Sequence, residues 1–458
     1  MALPEDPNAI VRAFAANPAF RSAEAHELVN DANPFRRPVR PPDLDFLDYD
    51  REMPSSEAGL LTALLGHRML RNAYDTSNAY LPPPGDSPAR ADRAGFYGDR
   101  ARVLAAGVRT VLERHLFSFL AAERPEPPAT SEALRDRVQG VFAERTAAPG
   151  RLYTVAGGLQ SPREGAVFVL LQLSAFLPVQ HRAAARALAG DVHAAAPGLH
   201  EVFAEDLADG RGREAAYRAL YTDTGLTPAP GAYWQFLLGS SLARGNHLDR
   251  LARTPERFFE FLGAWTHAAC DAGATAAPMA ELLAGALDTD AAYFRASGVR
   301  TAGDVDALLA DVADPLARAY GTEFTAAFSA GFEDARRLAA LWDEDLATQV
   351  DWADRLDEYK AKAEKLQYRL DTEGIDVDLE TFEETEEETS TTHVHDDHRL
   401  VVVEKGRMHF WNNVGRMIPM DEGDKLLIPA ERLHGSMVLS GACTYHQPVI
   451  PDEMLRQV

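Results

Sequence analysis

Residues 375–406 read IDVDLETFEETEEETSTTHVHDDHRLVVVEKG, and the change of texture at their start decides the fold. Upstream, apolar residues recur at intervals of three and four; here IDVDLETF alternates apolar and polar positions with period two, as a half-buried strand does. The acidic run EETEEETSTT that follows reads as a solvated strand or loop face. Beyond it come short apolar runs set off by turn residues: RLVVVEKG, RMHFW, VGRMIPMDEGD, KLLIPAERLHG, SMVLSGA and CTYHQPVI. That spacing predicts a small β-barrel or sandwich extending from Ile375 to Val458.

Six of the 14 histidines fall in this last stretch: His393, His395, His398, His409, His434 and His446. In a strand, residues two apart face the same side, so His393 and His395 can aim their imidazoles into one interior. His434 ends GDKLLIPAERLHG, where a Gly-Asp turn leads into an apolar strand and a proline bend. Three imidazoles leave coordination positions open on a metal, which catalysis needs. Of the remaining candidates, His398, Arg399 and His446 are read as neighbours or substrate contacts of that centre, His409 as structural, and Tyr445 as a proton donor on the closing strand or as plain core.

Outward from the barrel, residues 130–370 are helical almost throughout, in alanine- and leucine-rich segments around 131–145, 163–188, 211–222, 230–244, 254–272 and 307–330. A long amphipathic helix is predicted over 333–370. The first fifty residues are rich in proline and aspartate; NPFRRPVRPPDLDFLDYD breaks any long helix, because proline removes a donor and restricts the residue before it. Helical periodicity starts near Ser56, runs through GLLTALLGHRMLRNAY, resumes over 91–122 and stops at PEPP, residues 125–128. At 458 residues the chain exceeds what one hydrophobic core supports, about 250–300 residues. The expected division is a helical arm over 1–125, a helical bundle over 126–372 and the barrel over 373–458.

A formal net charge of −24 argues against nucleic acid, which needs a basic face. The acidic N-terminus lacks the basic and apolar blocks of a secretory signal, and no stretch reads as a membrane span. Cys270 and Cys443 lie in unrelated contexts, against a disulfide framework. The expectation is a cytoplasmic protein with a small-molecule substrate, and no nucleic acid or membrane partner.

The barrel resembles the cupin superfamily. His393, His395 and Gly406 match its first motif, and Gly423, Pro429 and His434 match the second. Arg399 departs from the pattern, since many cupins have a glutamate ligand there and a guanidinium cannot replace it. The resemblance therefore implies the three-histidine variant, in which iron(II) and O2 chemistry is common, with one iron(II) per chain.

The middle region resembles the heme-oxygenase-like di-iron proteins, through YWQFLLGSSLARG, through YFRASGVRTAGD at 293–304 and through YGTEFTAAFSAGFEDARRLAALWDEDL at 320–346. The family's metal positions fall here on Tyr217, Ser297, Thr301 and Asp304; Glu201, Glu205 and Asp206 lie near the upstream part of the pattern without its histidine. Losing most of those carboxylates and imidazoles removes the charge that holds two dications, so no di-iron centre is expected. In order, arm, bundle and cupin resemble bundle–cupin fusion enzymes that oxidise methylated arginine and form an N–N bond. That resemblance implies a homodimer and an O2-dependent cupin oxygenase of specialised metabolism. Its substrate would be an arginine-derived guanidine or N-hydroxyguanidine, rearranged to an N-nitroso product. The residues themselves leave two alternatives open: a non-redox metal-dependent cupin isomerase or lyase, and a non-catalytic binding partner.

Overall fold

In the computed structural model the residues described are 4, 6–20, 35, 37–39, 41–82, 88–190, 196–229, 231–295, 299, 301–375, 377–386, 389–411, 417–438 and 441–458. The chain is a multidomain α + β protein, helical among the described residues from Pro7 to Glu373 and then a cupin-like pair of antiparallel sheets. Helices α1 (Pro7–Ala15), α2 (Leu61–Asp75), α3 (Pro88–Phe96), α4 (Asp99–Phe117) and α5 (Phe119–Ala122) build the first part around Phe14, Leu65, Met69 and Leu112. Then follow α6 (Ser131–Ala147), α7 (Arg151–Ala156), α8 (Pro162–Leu173), α9 (Leu177–Leu188), α10 (Pro197–Asp223), α11 (Gly239–Ala252) and α12 (Phe258–Ala274). The helical series closes with α13 (Ala276–Leu287), α14 (Ala292–Arg295), α15 (Ala302–Val312), α16 (Asp314–Tyr320), α17 (Thr322–Asp354) and α18 (Leu356–Glu373).

Helix α17 has 33 residues, a rod about 50 Å long at 1.5 Å per residue. It packs along α12 at a contact only glycine allows. A Cβ on Gly263 would lie 1.9 Å from the Phe328 carbonyl oxygen, and one on Gly331 would lie 1.8 Å from that of Glu260. The single helix expected over 333–370 is two: Arg355, at φ −108° and ψ 27°, breaks it before α18. The 162–188 segment is long and apolar enough to cross a membrane by composition, yet it is divided into α8 and α9, and 67% of its most apolar window is buried.

Gly374, in the left-handed region at φ 65°, ends α18 and turns the chain into the sheets. One sheet runs in the order β1 (Thr381–Thr385), β8 (Ala442–His446), β3 (His398–Lys405), β6 (Lys425–Ile428), with β9 (Val449–Ile450) also on β3. The other runs β2 (Thr389–His393), β7 (His434–Val438), β4 (Arg407–Trp411), β5 (Met417–Asp421). A last short helix, α19 (Asp452–Leu455), follows β9. The expected first strand starts later than its alternating pattern, at Thr381 instead of Ile375. Val401, Val403, Met408, Phe410, Val438 and Tyr445 fill the space between the sheets, and Trp352 and Leu356 from the helices join them. Helix α18 covers the outer face of the first sheet, setting Ala363 and Leu366 against Leu400 and Leu427.

Candidate metal centre

The two glycines of the sequence motifs turn the strands that carry the histidines. Gly406 joins β3 to β4 at φ 91°, where a Cβ would meet the Ala442 carbonyl oxygen at 2.3 Å; Gly423 turns β5 into β6 at φ 90°. Strand β2 pairs with β7 through an irregularity between Ser390 and His393, which leaves His393 opposite His434 in register. His395 follows two residues on. The three imidazoles converge, with one nitrogen from each within 4.8 Å of the others. His393 Nε2 and His395 Nε2 are 3.2 Å apart.

The rings are oriented by the backbone. His393 Nδ1 donates to the Thr391 carbonyl at 2.8 Å, and His434 Nδ1 donates to the Arg432 carbonyl at 2.7 Å. Each bond fixes the tautomer that presents a bare Nε2, the outer-sphere arrangement usual for histidine ligands. His434 is 2% exposed, and its Nε2 is buried without a hydrogen-bond partner among the described residues. Phe410 lies flat against its ring, at 5.5 Å and 18°. Burial first, then the neighbouring imidazoles, hold His434 well below its ordinary pKa; burial, then His393 and Arg399, bring His395 down to about 3. Neutral imidazoles with inward lone pairs are the donor set a divalent transition metal takes. Among the described residues this is the one group of three or more histidine, cysteine or carboxylate side chains arranged to hold an ion.

The other named residues lie around or away from this centre. Arg399 is tied to Asp397 at 2.5 Å and to Glu380, and donates to the Gln447 carbonyl. His398 accepts from Ala430 N at 2.9 Å and reaches Asp452 at 3.2 Å, and His446 bonds Thr381 and faces Glu404. Both rings are engaged away from the triad. Tyr445 is 3% exposed between the sheets; its hydroxyl donates to Glu384 Oε1 at 2.9 Å, and its ring stacks on Phe382.

In the bundle, Tyr217 packs against Tyr221 and Tyr293, with centroids at 4.6 and 5.8 Å. Thr301 and Asp304 form a reciprocal capping box that starts α15. Ser297 lies outside the described residues.

Two helical residues that no motif announces grip the histidine-bearing segments. Arg68 of α2, 2% exposed, donates to the Thr392 carbonyl at 3.0 Å, to Thr392 Oγ1 at 3.1 Å and to the Gln235 carbonyl at 3.2 Å. Gln349 of α17, 1% exposed, donates to the Glu431 carbonyl at 2.6 Å and accepts from Leu433 N at 3.2 Å. Asp345 receives that same amide at 3.1 Å and the Ser240 hydroxyl at 2.6 Å. Glu431 itself is bent to φ 64° and donates its N–H to the His395 carbonyl at 2.7 Å. Val394 and Leu433, next in sequence to the ligand positions, point the other way into the core of the bundle. The centre therefore sits on the seam between sheets and helices, with its backbone held from the helical side.

No family model matches the sequence. Over 464 residues the chain is 27% identical to the nitrosourea synthase of Streptomyces achromogenes subsp. streptozoticus, an alignment covering 97% of this chain and 95% of that one. The likeness thus spans helices and sheets together, and it is a distant relationship to an enzyme.

Proposed function

We propose that the chain is a mononuclear non-heme iron(II), O2-dependent cupin oxygenase of specialised metabolism, with His393, His395 and His434 holding one iron(II). Its substrate is an arginine-derived guanidine or N-hydroxyguanidine, and its reaction an oxidative rearrangement that makes an N–N bond. The observation that carries the reading is the convergence of three imidazoles, one nitrogen of each within 4.8 Å of the others. The relative supports the product, since a nitrosourea synthase forms a urea bearing an N–N bond. Bound iron(II) would supply electrons and open positions for O2 and substrate.

The chain's own side chains account for binding and protonation. Glu384 is a half-buried carboxylate held by the Tyr445 hydroxyl, and it is the group a guanidinium would pair with. Burial and the Glu384 charge raise the Tyr445 pKa, so the phenol keeps its proton and remains a donor at neutral pH. Arg399, spent on Asp397 and Glu380, is no ligand; its charge helps keep His395 and His434 neutral.

The test is anaerobic reconstitution with iron(II), followed by O2 and an Nω-hydroxyarginine derivative. O2 uptake with a product whose mass and nitrogen-15 coupling report a new N–N bond is expected. Turnover without O2 on zinc or manganese would instead assign the site to Lewis-acid chemistry.

A further inference from the structure

Strands β2 and β7 do not pair evenly. Ser390 faces Ser436 and His393 faces His434, so Thr391 and Thr392 of β2 together stand against the single residue Gly435 of β7. An extra residue of this kind leaves backbone groups outside the ladder and re-aims the side chains beside it. Both carbonyls of the bulge are taken by side chains instead. That of Thr391 accepts from His393 Nδ1 at 2.8 Å, and that of Thr392 accepts from Arg68 Nη1 at 3.0 Å.

Arg68 reaches the bulge from α2, 324 positions away in sequence. Its Nη2 donates to Thr392 Oγ1 at 3.1 Å and, at 3.2 Å, to the carbonyl of Gln235, which lies in the 3-10 turn Trp234–Phe236 of the bundle. The Thr392 hydroxyl donates to the same Gln235 carbonyl. One guanidinium thus ties together the first helical part, the bundle and the bulge that precedes His393. Burial lowers its pKa only to about 10, so it is charged at neutral pH.

A buried cation is an expensive way to fill space, since apolar residues of similar volume replace buried charges with neutral or favourable effect on stability in many proteins. Packing therefore does not account for Arg68. Its rigid fork adds geometry, because two donors fixed in one plane seize both the carbonyl and the hydroxyl of one bulge residue. The competing arrangement is a regular ladder without the extra residue. Reaching it moves β2 by one position against β7, and a one-residue slip turns each side chain to the opposite face. His393 and His395 would leave the interior together.

We propose that Arg68 is a positioning residue that locks this bulge, and with it the inward aim of His393 and His395, so that α2 sets the geometry of the imidazole centre. The proposal rests on the reading of the three imidazoles as a metal site.

Cobalt(II) loaded into the full chain tests it, because its visible absorption bands follow the number and arrangement of its ligands. Arg68→Met is expected to weaken cobalt(II) binding about 10- to 100-fold, read by competition with a chromogenic chelator, and to shift those bands. Leu112→Ala truncates a buried side chain in the core of the same helical part. It is expected to lower the melting temperature while keeping the parent's affinity and bands, which a merely structural role for Arg68 would not distinguish from Arg68→Met. Thr392→Val keeps the branched shape and removes one acceptor of the fork; about tenfold weaker binding with a band shift in the same direction is expected, and this variant decides the matter where Arg68→Met does not fold. Parent-like affinity and bands in the folded Arg68→Met or in Thr392→Val, or equal losses in Leu112→Ala, would overturn the proposal. A parent chain that takes up no cobalt(II) would overturn the metal reading first, and the proposal with it.

Discussion

His434 shows how much a single residue carries, because its Nδ1 is committed to the Arg432 carbonyl while its Nε2 is buried with nothing to bond. Replacing it with alanine removes one of three donors from a site with no carboxylate to compensate. Elemental analysis of His434→Ala should show metal retention at least about tenfold below the parent's, and equal retention would move the metal elsewhere. A different histidine contributes to the acid limit. His247 is 1% exposed, neither ring nitrogen has a partner among the described residues, and burial brings its pKa down to about 3. The unfolded chain takes up a proton near pH 6.5 that the folded chain refuses until about 3, so stability is lost as pH falls through that window. At pH 5 this one group costs about 2 kcal/mol. Unfolding free energies of His247→Leu, from urea titrations near pH 7.5 and pH 5, should therefore fall less than the parent's, by roughly that amount. At this scale the sequence was informative where chemistry demands a residue type at a spacing: Gly406 and Gly423 do take positive φ, and the paired imidazoles do meet. Arg68 and Gln349 were not legible, because what defines them is contact with Thr392 and Leu433, 324 and 84 positions away.

Among the elements, α17 links helical and sheet parts most directly, since it lies on α12 through Gly263 and Gly331 and presents Gln349 to the loop before His434. Helical periodicity announced this segment but ran it on through Arg355. The pattern of apolar positions continues across that residue, and only its backbone angles interrupt the helix. The opposite error came at Ile375, where alternation suggested a strand but pairing with β8 begins only at Thr381. Alternation records which face is buried, whereas a strand also needs a hydrogen-bonded neighbour. Gln349→Met keeps the side chain's length and strips both bonds from the 431–433 loop. Metal affinity, read by competition with a chromogenic chelator, should drop about 10- to 100-fold while far-ultraviolet circular dichroism stays unchanged. A variant that binds metal like the parent would mean that β7 positions His434 unaided.

Across the whole molecule, each part lends residues to the other's core. Trp352, fully buried, and Leu356 belong to the packing between the sheets, Ala363 and Leu366 close the first sheet's outer face, and Val394 and Leu433 sink into the bundle. Composition alone divides such a chain at the change from three-four periodicity to alternation near residue 373, and the element types do change there. A change of element type is not a boundary of stability, however. Residues 373–458 expressed alone would expose Leu400 and Leu427 where α18 had covered them, and would lose Trp352 and Leu356 from the packing between the sheets and the Arg68 and Gln349 bonds to the ligand loops. Losing several buried contacts at once exceeds the margin of a domain this small, about 5–15 kcal/mol at most. The fragment should give a poorly dispersed amide spectrum and no stoichiometric metal, whereas residues 341–458, which restore Trp352 and α18, should recover dispersion but bind metal more weakly than the intact chain. A well-folded, metal-replete 373–458 fragment would show that the sheets assemble the imidazole centre without the helices.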